Sequence, residues 1–482
     1  MSINVTAASV KHEFAQGVEF KERIGLFETV AANENFFVGK QWEGVNAGGL
    51  PTPVFNFIKR VVLFTVASIT GTSTKVHASP MGKSSERVAE TVNTELDRLF
   101  ETNNIDNLIR DLLRNAAVDG DGALFTFWDP ENGVRTEVVS NTNVFFGNVN
   151  ERDVERQPYI IIATREMTQT VRERLRRIGG DADGLRSDTD ERGARDANLD
   201  DGDKSTVLLR MWRDDATGTI RCAETVGDAM LRRPWDTKLR RYPLVWLPWD
   251  YVQDCYHGQA MVSGLLPNQI FINKLFAMSM ISLMTTAYPK IVYDRTRVAR
   301  WDNRVGAAIP VTGGDVNGVA KIVEPAQISP QVSLFIDKAI SYTQTFLGAT
   351  PAALGDVRPD NTSAIIALQR ASTVPNELTR FSLYRATEDL ARVYLEFMRV
   401  CYGVRETDGG EFDFATLKDA QMTLKLDVGA SSYWSEIASM QTLDNLFARG
   451  AIGLKEYLER VPEGIIPDKS ALIEQMGIKM SD

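Results

Sequence analysis

Gly82, Lys83 and Ser84, within HASPMGKSS (His77–Ser85), match the end of a phosphate-binding loop and stand just before a helical pattern. Such a loop wraps phosphate with backbone N–H groups and needs small residues throughout. Here His77 replaces the first glycine and Pro80 sits inside the loop. A helix start fits better, with Ser84 or Ser85 as N-cap and Glu86 in the first turn. VTGGDVNGVAK (Val311–Lys321) also fails, because Lys321 lies two residues past the position required after Gly318. A turn between strands accounts for its glycines. An EF-hand needs glycine at loop position six and glutamate at twelve. Counted from Asp196, Gly202 comes one position late, and counted from Asp181, glycine comes at the fourth. The three histidines, His12, His77 and His257, are scattered without HExxH or HxH spacing, and there is no GxSxG elbow. Zinc or histidine-based hydrolysis needs a convergence that nothing local supplies. No catalytic residue, metal ligand or cofactor is expected. Arg295, Arg297, Arg300 and Arg304 surround Trp301. Contact with a protein partner, contact with nucleic acid and a solvated loop are all compatible with that pattern.

These residues sit in a chain of 482, long enough for two to four structural units or one large elaborated one. With 43% hydrophobic and 24% charged residues, it has the balance of a folded protein. The formal net charge of −10 argues against tight nonspecific binding to DNA, whose phosphates are gripped by Lys and Arg. It is compatible with an acidic wall past which DNA slides. Cys222, Cys255 and Cys401 form no CxxC pair, which fits a reducing cytoplasm. No signal peptide is visible at the N-terminus. Leu275–Ala287 is the most lipid-like stretch, but it is too short to span a bilayer, and Asn268, Gln269, Asn273 and Lys274 precede it.

The N-terminal half reads as mixed helix and strand. Phe20–Asn33, Ser85–Thr102, Ile105–Val118 and the basic Arg165–Ile178 have helical spacing, whereas Phe55–Ile69 is apolar and ambiguous. Strand-like runs are Ala123–Trp128, Asn143–Phe146, Tyr159–Ala163, Val207–Trp212 and Leu244–Leu247. Residues 179–205, rich in Asp, Gly and Arg, read as an acidic surface insertion. Gly258–Ala287 has one charged residue, Lys274. A helix apolar nearly all round must be covered on several sides, and neighbouring copies are the natural cover. KIVY and AAIPV then flank the Arg-rich stretch as strands, and Pro330–Leu347 reads as a helix. A Gly/Pro-studded loop follows, then a long helix Thr362–Tyr402 that Pro375 should kink near Thr373–Val374. Glu411–Val428 has strand character and Ser435–Met476 supplies short helices.

In that order, the chain resembles the siphophage portal proteins. The resemblance rests on Asn35-Phe36-Phe37-x-Gly39-x-Gln41-Trp42, then Pro53 and Asn56. It continues through Asp121-Gly122-Ala123, Asn141–Phe146, Gly258-Gln259-Ala260, Pro267-Asn268-Gln269, Asn273 and the loop Leu347–Asn361. It covers nearly the whole chain except 179–205. It implies an α+β portal fold, mainly helical in its second half, assembled as a dodecameric ring. The wing would be 1–257 with 403–430, the stem helices 258–287 and 327–347, and the clip 288–326. The tunnel loop would be 348–361, the long kinked helix 362–402, and the crown 431–482.

The implied partners are other copies of the chain, double-stranded DNA in transit, the terminase large subunit, a head–tail adaptor, the major capsid protein and a scaffolding protein. No membrane is implied. The place is a capsid vertex of the virion, after assembly in the host cytoplasm. Twelve chains at −10 each would carry roughly −120, facing a duplex with one charge per ~1.7 Å. Salt confines that repulsion to ~8 Å. Lys274 and Lys338, on the stem helices, would make isolated phosphate contacts or intersubunit salt bridges. Arg358 and Asn361, ending the tunnel loop, would touch the DNA backbone; Asn361 or Thr362 would also cap the next helix. Arg295, Arg297, Arg300, Trp301 and Arg304 would be clip contacts to terminase or adaptor. The alternatives are a metal-dependent nucleic-acid enzyme and another phage connector or adaptor ring.

Overall fold

The computed structural model describes residues 5–70, 74–81, 86–188, 203–302, 304, 307–323, 331–346, 376–407, 410–418, 422–428 and 433–461. The N-terminal helices are α1 (Ala7–Arg23), α2 (Leu26–Val38) and α3 (Phe57–Thr70). Thr6 and Ser9 close a capping box at the start of α1. The single helix expected over Phe20–Asn33 is two, because Gly25 adopts a left-handed conformation (φ +68°) that ends one and lets the next restart. Phe55–Ile69 resolves as helix. Strand β1 (Thr74–Pro80) contains His77 and Pro80, so the suspected phosphate loop begins as extended chain. Residues 82–85, with the proposed serine caps, lie outside the described residues. Helices α4 (Glu86–Thr102) and α5 (Ile105–Asp119) follow as expected.

Next come β2 (Asp121–Asp129), β3 (Gly133–Ser140), β4 (Val144–Phe146), β5 (Tyr159–Met167), α6 (Thr168–Arg177) and β6 (Lys204–Arg213). After them lie β7 (Ile220–Val226), β8 (Ala229–Asp236) and β9 (Leu244–Pro248). One antiparallel sheet runs β4-β5-β6-β7-β8 and another β3-β2-β9. Ile160, Ile161, Ile162 and Ala163 are all buried, because both faces of β5 are covered. Ile161 and Ala163 pack with Val10 and Val18 of α1, while Ile160 and Ile162 pack with Met211, Ile220 and Tyr242. The basic helix expected from Arg165 begins at Thr168, since Arg165–Met167 continue the pairing with β6. The acidic tract lies in the connection between β5 and β6, whose last residues join β6; 189–202 lie outside the described residues.

The second half comprises α7 (Met261–Ala287), β10 (Ile291–Tyr293), β11 (Ala320–Ile322), α8 (Gln331–Phe346) and α9 (Glu377–Phe397). It ends with β12 (Val404–Thr407), β13 (Gly410–Asp413), β14 (Met422–Val428), α10 (Tyr433–Ala448) and α11 (Leu454–Arg460). AAIPV is not a strand; Ala320–Ile322 pairs with KIVY instead. β14 closes on β1 across the chain. The main core gathers α3, α5, β2 and α9 around Ile58, Leu112, Leu113, Leu390, Tyr394 and Phe397. The tunnel loop, the Pro375 kink and the start of the long helix lie outside the described residues. The mixed composition of helix and antiparallel sheet is α+β.

Candidate functional site

Helix α7 has two environments. Up to Ala277 it buries Met261, Val262, Leu265, Gln269, Ile272, Asn273 and Ala277 against its own chain, in contact with α2, α3 and α5. Beyond Ala277 the apolar side chains face outwards, with Met278 63% and Leu283 70% exposed and Met280 and Met284 also exposed. α8 packs against α7 and likewise leaves Leu334, Phe335 and Tyr342 exposed. By length and composition the whole of α7, Met261–Ala287, is long and apolar enough to cross a membrane, and the stretch Leu275–Ala287, expected to be too short to span, is its outer part. Its free part, residues 278–287, rises only about 15 Å, half of a ~30 Å hydrocarbon layer.

The buried half is tied down by amides. Asn273 donates to Gln41 Oε1 (2.6 Å), and Gln269 donates to Asn273 Oδ1 (3.0 Å) and to the Phe55 carbonyl (2.7 Å). Gln41 donates onward to the Phe36 carbonyl (3.0 Å). Asn56 caps α3 through the Lys59 N–H (3.1 Å) and donates to the Phe37 carbonyl (2.8 Å). Trp42 donates to the Pro53 carbonyl (2.9 Å). A second tie lies one end further along, where Asn33 donates to the Val118 carbonyl (2.8 Å) and to Ser263 Oγ (2.9 Å). A buried amide left unpaired costs about 1–3 kcal/mol, so this chain of bonds fixes how α7 leaves the body.

The approach to α7 is fixed by backbone packing and a buried ionic joint. Gly120 has φ +102°, and a Cβ there would sit 2.8 Å from the Gly258 carbonyl; a Cβ on Gly258 would sit 2.8 Å from the Asp250 carbonyl. Asp121 accepts the Gly258 N–H (2.7 Å) on one oxygen, and His257 Nδ1 lies 2.7 Å from the other. Asn141 donates to the Asp119 carbonyl (2.9 Å), and its own carbonyl accepts from the buried Lys21 ammonium (2.6 Å), which also bonds the Val144 carbonyl (2.5 Å). Burial holds the His257 imidazole below its ordinary pKa, with Asp121 opposing the shift and Lys21 adding to it. The ring is fully buried beside Tyr256 (4.0 Å between centroids), Trp246 (5.6 Å) and Phe20 (6.4 Å). This pair has the partners of an acid–base dyad but no open face for a substrate. Burial pushes the Cys222 thiol up to about 12, so it is no nucleophile at neutral pH. Among the described residues, no three His, Cys, Asp or Glu side chains converge to hold a metal ion.

The residues singled out from sequence fall into three groups. Lys274 and Lys338 are exposed on α7 and α8, each without an ion-pair partner among the described residues. In the hairpin joined by β10 and β11, Arg295 and Arg300 are exposed, whereas Arg297 donates to the Asp315 carbonyl and braces the turn. Arg304 pairs with Asp302 (2.6 Å) with its side chain 85% exposed, and Trp301 leans on Tyr293 (5.3 Å). Arg358 and Asn361 lie outside the described residues. Sequence spacing did not single out Lys21, Asn33 or His257, whose partners are over a hundred residues away or on another helix. The amides Gln41, Asn56, Gln269 and Asn273 were visible as motif positions, but not that three of them form one hydrogen-bonded chain.

Two comparisons bear on this arrangement. A family model described as phage P22-like portal protein matches residues 152–406, more than half of the chain. The match runs from the five-stranded sheet through α7, the β10–β11 hairpin and α8 to α9. No curated protein matches the chain.

Proposed function

Because this chain belongs to the phage P22-like portal protein family, we propose that it is the subunit of a closed ring at a capsid vertex, through which DNA enters and leaves the head. The observation that carries this reading is the outer half of α7 with α8, which carry Met278, Leu283, Met284, Leu334, Phe335 and Tyr342 exposed among the described residues. A soluble chain does not ordinarily expose such a surface without a partner. Identical neighbours in a ring, twelve in the reading favoured here, cover both flanks of a helix pair at once. The anchored half of α7 is then the stem root in the wing, and the free half with α8 is the stem. The β10–β11 hairpin is the clip.

In that arrangement Lys274 and Lys338 face either the channel or a neighbour's carboxylate. Arg295 and Arg300, with Trp301, are the clip's contacts for the terminase large subunit during packaging and a head–tail adaptor afterwards. Arg297 and Arg304 serve the hairpin itself. The wing is the side offered to the major capsid and scaffolding proteins. The net charge of −10 per chain suits a wall that releases phosphates rather than holding them. The role is structural, with no catalytic step assigned to the chain. The test is head assembly with this chain withheld: heads should form but stay empty of DNA and carry no tail. DNA-filled, tailed heads lacking the chain would overturn the proposal.

A further inference from the structure

We propose that His257 is a protonation-sensitive latch that ties the root of α7 to β2, closed by a neutral imidazole and loosened by an imidazolium. The inference concerns a joint within one chain and stands whether or not copies close into a ring. Asp121, at the start of β2, ties down two consecutive residues of the segment that leads into α7, taking His257 Nδ1 on one carboxylate oxygen and the Gly258 N–H on the other. Gly258 lies three residues before α7 and packs backbone to backbone on Gly120. Whatever displaces the imidazole therefore pulls on the strut that leads into the helix.

The geometry admits only the neutral ring. With Nδ1–H donated to Asp121, Nε2 is a bare lone pair, and it has no hydrogen-bond partner among the described residues. Protonation would place an N–H there with nothing to accept it, inside a fully buried site. The charged groups around the ring come from each packed element. Lys21 from α1 is a second cation, Asp121 from β2 is the counter-charge, and Asp119 at the end of α5 meets Asn141 with its backbone carbonyl rather than its carboxylate. Tyr256 and Cys255 on the adjoining loop are both pushed up by burial and stay neutral. Trp246 and Phe20 close the remaining sides, with Arg23 outside Phe20 at 5.6 Å.

The sign follows from the direction of the shift. A base held below its ordinary pKa when folded favours the closed joint fully above about 6.5, and that contribution is lost as pH falls. Backbone amide exchange over residues 257–265 in the full-length protein reads the opening. Wild type and His257→Asn, which keeps a side-chain donor for Asp121, are compared at the same pH from about 7.5 to about 5.5. The wild-type to variant exchange ratio should climb on acidification, by up to about tenfold per pH unit. A ratio that stays constant overturns the latch. Should the variant not fold, exchange at the imidazole C2 position in the wild type gives the titration midpoint of His257 directly. A midpoint below about 6.5 is expected, and one at or above that value overturns the proposal.

Discussion

Asn273 and Lys274 are adjacent, yet one is sealed in the body of the chain and the other stands in solvent. Asn273→Ala removes the donor to Gln41 and the acceptor of Gln269, leaving two amides short of a partner. It should cost about 1–3 kcal/mol, read as a lowered midpoint in chemical denaturation. Lys274→Ala should stay within about 0.5 kcal/mol of wild type in the same experiment. If Lys274 touches DNA in the channel, its effect appears in packaging and not in folding. The two kinds of arginine in the β10–β11 hairpin divide the same way. Arg297→Ala should loosen the hairpin, seen as faster proteolysis between Tyr293 and Ala320, because the Asp315 carbonyl loses its donor. Arg295→Ala with Arg300→Ala should leave that proteolysis unchanged and weaken docking of a partner. Equal proteolysis of both variants would contradict the division.

Elements were legible where one chain segment decides them. The heptad-like spacing of Leu112, Leu113 and Ala116 announces α5, and the alternation in Val207–Trp212 announces a strand. They were illegible where a distant partner decides: β1 exists because β14, over three hundred residues on, pairs with it. β3 carries Arg135, Thr136 and Glu137, β7 carries Arg221 and Glu224, and β8 carries Arg232 and Arg233, so their apolar signal is diluted. The break at Gly25 needed a left-handed residue that spacing alone does not reveal. The candidate site was half legible, since the low charge of α7 pointed to a covered helix but gave no hint that its root is held by Gln41 and Asn33. Gly120→Ala tests the collar around that root. Its left-handed backbone and the 2.8 Å approach to the Gly258 carbonyl leave no room for a methyl. The substitution should destabilise by more than about 1 kcal/mol, measured by thermal or chemical unfolding. Leu283→Glu is the opposite case: the side chain is 70% exposed, so the fold should survive and the assembly should not. A Leu283→Glu chain that is itself unfolded would show that α7 packs differently from the arrangement described here.

At the scale of the molecule, one body built on two antiparallel sheets and the α3–α5–α9 core grips half a helix and lets the other half go. The account stands or falls on what covers that free half. The family match gives the kind of protein, and the uncovered Met278, Leu283, Leu334 and Phe335 give the surface that must find a partner. Electron-microscopic imaging of the purified wild-type chain, with its mass measured in solution, tests this most directly. Rings with a central channel wide enough for a duplex, formed by self-association of α7 and α8 and lost in Leu283→Glu, are the expected result. A well-folded single chain that stays monomeric at high concentration would contradict it.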